Sequence, residues 1–218
     1  MSGKLLCSTT SALALLLATQ LVHGQTLSSL IGAGPVASGG LVYSNFTETG
    51  TLPASSINVT FTSTGVQFTA NWTSLSPGSD SSIIGYNVST SSGTLSGTTL
   101  NIAGHSVTGN GAVSVGESVT DTATNNKYNL QAFFGGNAHS GNQLTDSATF
   151  NPEVTSINII KSIDVAVADA NSSASLNFVE NIYTGTAVGT PPPVPEPMSL
   201  ALIPLALGAL ALRKKLAR

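Results

Sequence analysis

The sequence predicts an all-β domain, an antiparallel β-sandwich, set between two apolar end segments. Three observations predict it. Apolar and polar residues alternate with period two in run after run, the pattern of a strand with one buried and one wet face. Clusters of Gly, Ser, Asn and Pro separate the runs at close spacing, as turns between short strands do. No stretch between the end segments carries the i, i+3, i+4 apolar spacing of a helix. About nine or ten short strands of this kind fold as a sandwich, and jelly-roll connectivity is compatible with them.

Residues 1–24 read as a secretory signal peptide. Lys4 supplies the positive start, Ala12-Leu-Ala-Leu-Leu-Leu-Ala18 the apolar centre, and Gly24 the small residue before a cleavage site at Gly24-Gln25. Cys7 is the only cysteine and leaves with this segment, so the remainder has neither disulfide nor thiol chemistry.

Residues 25–190 form the expected sandwich body. Residues 27–35, with Gly32, Gly34 and Pro35, read as a leader or a short turn ahead of the core. Gly39-Gly40-Leu41-Val42-Tyr43-Ser44-Asn45-Phe46-Thr47 opens the first strand, with Tyr43 and Phe46 as packing residues. Alternation continues in Ile57-Asn-Val-Thr-Phe61, Val66-Gln-Phe-Thr-Ala70 and Ile84-Gly-Tyr-Asn-Val88. It recurs in Leu100-Asn-Ile102, Val113-Ser-Val115, Ile157-Asn-Ile159, Ile163-Asp-Val-Ala-Val167 and Leu176-Asn-Phe178. Trp72 stands in phase with Val66, Phe68 and Ala70, which predicts core packing rather than a sugar platform. Turns are expected at Ser63-Thr64-Gly65, Ser76-Pro77-Gly78-Ser79, Ser92-Gly93, Gly109-Asn110-Gly111 and Gly135-Gly136-Asn137.

Charge excludes one large class of function. The body holds nine acids and only two bases, Lys127 and Lys161, and so carries about −7 where the whole chain carries −3. A surface without a basic patch cannot neutralise phosphates, so no nucleic-acid partner is expected. Catalytic candidates are equally sparse. His105 and His139 each sit beside a Ser in an expected turn, without a GxSxG elbow or a zinc-type HxxxH spacing. Glu117 and Asp121 are four apart in a strand-like run and share a face; Asp164 and Asp169 straddle a strand end. Such oxygens could hold a structural calcium, but no DxDxDG loop accompanies them, and solvated surface acids are the expectation. No catalytic and no metal-ligating residue is assigned. Thr-rich strands lack the fixed repeat of an ice-binding array. Five Asn-x-Ser/Thr sequons, at Asn45, Asn58, Asn71, Asn87 and Asn171, follow the Asn/Ser/Thr-rich composition.

Residues 191–218 combine a Pro-rich linker ending in Pro195-Glu196-Pro197, an uncharged apolar run at 198–212, and a basic end. The end begins Arg213-Lys214-Lys215, and four of the chain's seven Lys and Arg lie in its last six positions. An apolar helix followed by cations predicts a single membrane span whose last residues stay in the cytoplasm. At about 1.5 Å per residue the run reaches roughly 22 Å, short of the bilayer core of about 30 Å; snorkelling cations extend it. This tail resembles the PEP-CTERM sorting signal of bacterial exported proteins. The resemblance covers about residues 191–218. It implies an exosortase partner that recognises Pro195, Glu196 and Pro197 and removes the tail, and a place in the envelope or on the outer surface of a Gram-negative-type bacterium.

Two functional classes remain. One is a structural or adhesive surface protein associated with extracellular polysaccharide; the other is a carbohydrate-binding module, with hydrolysis and ice binding behind it. The absence of a catalytic constellation favours the first, a non-enzyme without cofactor.

Overall fold

The structure, a computed structural model, describes residues 24–136 and 141–186. The strands are β1 (Gln25–Thr26), β2 (Val36–Ser38), β3 (Leu41–Gly50), β4 (Asn58–Phe61), β5 (Gly65–Ser74), β6 (Gly78–Thr90) and β7 (Leu95–Ala103). They continue as β8 (Ser106–Thr108), β9 (Gly111–Asp121), β10 (Lys127–Gly135), β11 (Thr145–Val154), β12 (Ser156–Val167) and β13 (Ser173–Gly185). One helical turn, α1 (Leu27–Leu30), and one 3₁₀ turn, Ala54–Ser56, complete the described elements. The body is thus all-β, as its alternation predicts. Residues 1–23 of the expected signal peptide, the expected membrane span at 198–212 and the basic end lie outside the described residues.

Every pairing is antiparallel. One sheet runs β1-β4-β5-β13-β7-β11, with β8 beside β13; the other runs β10-β9-β12-β6-β3-β2. The alternating residues of both sheets face each other and make one core, from Leu41, Tyr43, Tyr86 and Ile159 on one side to Phe68, Trp72, Leu100 and Tyr183 on the other. Trp72 is fully buried, and its indole Nε1–H donates to Ser82 Oγ of the opposite sheet at 3.0 Å. An apolar ring whose polar edge finds a partner inside is the arrangement burial demands.

Four features depart from the expected pattern. Ile157–Ile159 and Ile163–Val167 are one continuous strand, because Lys161 between them also points inward. Leu27 and Leu30 are buried in the core beside the 3₁₀ turn, so the segment read as a leader closes one end of the sandwich. β10 and β11 were not anticipated; most of β11 is exposed, which leaves little apolar alternation to read. The fourth departure is a pair of bulges. In β3 the register against β6 shifts between Ser44 and Thr47, with Asn45 at φ 56°, so Tyr43 and Phe46 both turn inward although they are three apart. In β13 the register against β5 shifts between Leu176 and Phe178, so the inward set passes from Leu176 to Val179, Asn181 and Tyr183. The expected inward Phe178 is only half-buried for that reason.

The outer edge of β10 is closed by side chains. Gln131 N donates to Asp146 Oδ2 at 2.9 Å, and Gly135 N to Asn142 Oδ1 at 3.0 Å. Phe133 exchanges both backbone bonds with Gln143. An edge strand so covered cannot pair with another chain.

Candidate functional site

The two bulge-corrected faces bring a polar cluster into the middle of the apolar core. Lys161 of β12 and Glu117 of β9 are direct cross-strand partners in one sheet, and Tyr86 stands on the neighbouring strand β6. Asn181 and Tyr183 of β13 and Thr98 of β7 descend from the other sheet. Lys161, Tyr86 and Asn181 are 0% exposed and Glu117 is 3% exposed. Bulk solvent therefore does not reach them.

Each polar atom has a specific neighbour. Lys161 Nζ donates to Glu117 Oε2, the salt bridge found among the described residues. Asn181 Nδ2 donates to Glu117 Oε1 at 2.7 Å and Oε2 at 2.9 Å, with Thr98 Oγ1 at 3.5 Å. Tyr86 OH donates to Asn181 Oδ1 at 2.9 Å and meets Tyr183 OH at 3.1 Å. Aromatic rings wall the cluster: Phe46 stacks on Tyr86 at 5.5 Å between centroids, and Phe68 lies tilted at 5.6 Å. Burial pushes the Lys161 ammonium down from its ordinary value, against the upward pull of Glu117. Burial also pushes the Tyr86 and Tyr183 phenols well up. An ion pair in such a place is held by geometry and extra hydrogen bonds, since desolvation alone would oppose it.

The remaining acids behave differently. Glu117 and Asp121 do share the inward face of β9, as expected, yet four residues at about 3.3 Å each separate them by roughly 13 Å, more than glycosidase carboxylates allow. Asp121 caps the turn after β9 instead, accepting from Thr124 Oγ1 and Ala123 N, and these bonds hold its pKa down. Both residues are buried, which corrects the expectation of solvated surface acids. Asp164 lies on the outer face of β12, while Asp169 accepts from Ser172 Oγ, Asn110 Nδ2 and Asn171 N in the following turn. His105 packs its ring on Phe134 at 4.0 Å, and no serine or carboxylate meets its Nδ1 among the described residues. No group of three potential metal-ligating side chains gathers among the described residues. His139, Pro195, Glu196, Pro197, Arg213, Lys214 and Lys215 lie outside them. Gly24 is exposed and Gln25 opens β1, so the expected cleavage point sits at the margin of the sandwich.

Among the described residues a broad, open depression of about 610 Å³ lies over β9, β10 and β12, lined by Ser118, Asn129, Gln131, Gln143, Asp146 and Ser162. Its apolar contribution comes from Leu130 and Ile160. The exposed large apolar side chains of the described residues are Ile31, Leu75, Ile83, Leu144 and Ile160, none of them aromatic. Among the described residues the aromatic rings nearest the surface, Tyr128, Phe133, Phe134 and Phe178, are half-buried. Among the described residues no helix is long and apolar enough to cross a membrane.

No family model matches the chain, and no curated protein matches it. Among solved structures, the chain is similar to TmCBM61 in complex with β-1,4-galactotriose, at 16% identity, covering 63% of this chain and 88% of that one, with a TM-score of 0.30. A score of that size leaves the reading of this protein to its own residues.

The cluster is hard to see in the sequence because its charged members occupy positions where the alternation calls for apolar residues. Lys161 is in phase with Ile157, Ile159, Ile163 and Val165, and Glu117 with Val113, Val115 and Val119. Extending the alternation through the charged positions finds both. Asn181 and Tyr183 fall on the wrong face of Leu176-Asn-Phe178 until the bulge is known.

Proposed function

We propose that this chain is an exported, non-catalytic surface protein, structural or adhesive, that serves within an extracellular polysaccharide layer. The observation that carries the reading is where the ionisable groups sit. The Lys161–Glu117 pair is sealed in the core, where no substrate reaches it, Asp121 and Asp169 are tied into turns, and Asp164 stands on the outer face of β12 away from both. What remains outside is a wall of hydroxyls and amides with few charges. Such a wall stays hydrated among neutral sugars and holds weakly at many points.

Delivery belongs to the ends of the chain. On this proposal residues 1–24 direct export and residues 191–218 address the protein to an exosortase, with Glu196 held between Pro195 and Pro197 as the recognised element. Prolines at 191, 192, 193, 195 and 197 keep the linker extended and deny it backbone donors. The run at 198–212 holds the motif at the bilayer surface of a Gram-negative-type envelope, and Arg213, Lys214 and Lys215 stop it there. Fractionation of the host tests this: Glu196→Ala accumulates uncut in membranes, while the wild type leaves them. Equal partitioning of the two would reject the address.

A second reading, a carbohydrate-binding module, is favoured by the amide-lined depression. Retention of the wild-type chain on host exopolysaccharide, lost in Asn129→Ala/Gln131→Ala, would support it. Retention unchanged in that variant would return the contact to the wider surface.

A further inference from the structure

We propose that Lys161 and Asn181 join covalently after folding, by an amide bond between Lys161 Nζ and Asn181 Cγ, with Glu117 as the catalytic proton carrier. The bond would stitch β12 of one sheet to β13 of the other through the centre of the core.

The arrangement has the parts such a reaction requires. Lys161 Nζ and Asn181 Nδ2 both hydrogen-bond to the same atom, Glu117 Oε2, so the nucleophile and the leaving group are neighbours around one carboxylate oxygen. The electrophilic carbon is one bond from that leaving nitrogen. Its carbonyl oxygen, Asn181 Oδ1, accepts from Tyr86 OH at 2.9 Å, a donor placed where negative charge would develop during attack. Asn181 is thus held at both ends of its amide and cannot rotate away, which places the reacting groups without a search. Burial lowers the lysine's affinity for its third proton, and a neutral amine is the form that attacks. Bulk water does not reach the reacting groups, because Lys161 and Asn181 are fully buried.

The step balances without any co-reactant. A proton passes from the Lys161 ammonium to the Glu117 carboxylate. The free amine attacks Cγ, and the carbonyl electron pair moves onto Oδ1. Glu117 gives its proton to Nδ2 and takes one from the attacking nitrogen. The carbonyl then re-forms, the Cγ–Nδ2 bond breaks, and ammonia leaves. Two opposite charges in the core are replaced by a neutral amide and a protonated Glu117, which removes the ion pair that burial disfavours. The reaction uses only the folded body, so its failure leaves the sorting proposal standing, and the converse holds too.

The test is peptide mapping of the full chain after denaturation. A Glu-specific protease cuts after Glu153 and Glu180, separating Lys161 from Asn181 into two peptides unless they are bonded. The expected product is one branched peptide joining residues 154–180 to the peptide that begins at Asn181, lighter than their sum by one ammonia. A Lys-specific protease then fails to cut after Lys161. Lys161→Met abolishes the branched peptide, and Glu117→Gln slows its appearance at least about 100-fold, the usual worth of a positioned acid–base group. Two separate peptides from the folded wild type, with a free Lys161 amine or with Asn181 hydrolysed to Asp, would overturn the proposal. Equal cross-linking in Glu117→Gln would overturn the role of Glu117.

Discussion

A lysine in the middle of an apolar sandwich survives only because a carboxylate meets it. Removing one partner leaves the other charged and unpaired in a medium that cannot solvate it. Measured against wild-type chain in which Lys161 still carries a free amine, Lys161→Met is therefore expected to cost about 3–5 kcal/mol, read from urea unfolding at neutral pH. The double variant Lys161→Met/Glu117→Leu should be more stable than either single variant, because no isolated charge remains. If instead the single variants are as stable as the wild type, the pair is not sealed as described. The phenols above it give a second readout. Burial raises the pKa of Tyr86 and Tyr183 well above the ordinary tyrosine value, and that of Tyr43 as well. A raised folded pKa favours the neutral form, so the contribution is complete below about pH 10 and lost as pH climbs above that unfolded value. Stability should fall steeply on the alkaline side, and ultraviolet absorbance should show these phenols ionising only as the fold is lost. Tyrosinate absorbance rising in the still-folded protein would contradict their burial.

At the scale of elements, β13 carries the lesson about legibility. Its apolar residues read as one alternating strand, but a bulge between Leu176 and Phe178 changes which side chains face inward. The bulge leaves no mark in a period-two pattern, so the strand was readable and its site was not. In β9 and β12 the alternation runs unbroken, and the inward Glu117 and Lys161 were available to anyone who trusted the period over the polarity of the residue. Gly65 shows how tightly the neighbouring strand is built: a Cβ there would lie 1.9 Å from the carbonyl oxygen of Asn181. Gly65→Ala should push β5 from β13 and lower stability by about 1–3 kcal/mol, measured by thermal unfolding. An unchanged midpoint would mean the two strands do not approach so closely. The edge strand β10 gives an independent check. Asp146→Ala removes the acceptor of Gln131 N–H, so hydrogen exchange at Gln131 should accelerate. The amide of Leu130 points to the opposite edge, toward β9, and should be unaffected; equal acceleration at both would indicate loss of the whole strand rather than of one cap.

At the scale of the whole molecule, the proposed function gives the body and the ends different work. The sandwich was legible because two-sided burial imposes a strict alternation over most of its strands. Its closing turn at Leu27–Leu30 was not, because two leucines three apart in a Gly- and Ser-rich segment carry no period. The body holds its ion pair inside and presents hydroxyls and amides outside, the arrangement from which the proposed surface role is argued. The ends, on the account proposed, decide where it persists. That central claim is tested most directly by the C-terminus of the protein recovered from the host's surface layer, read by mass spectrometry. The account predicts a chain that ends before residue 198, with the apolar run and the basic end removed; a surface-layer chain that still ends at Arg218 would contradict it.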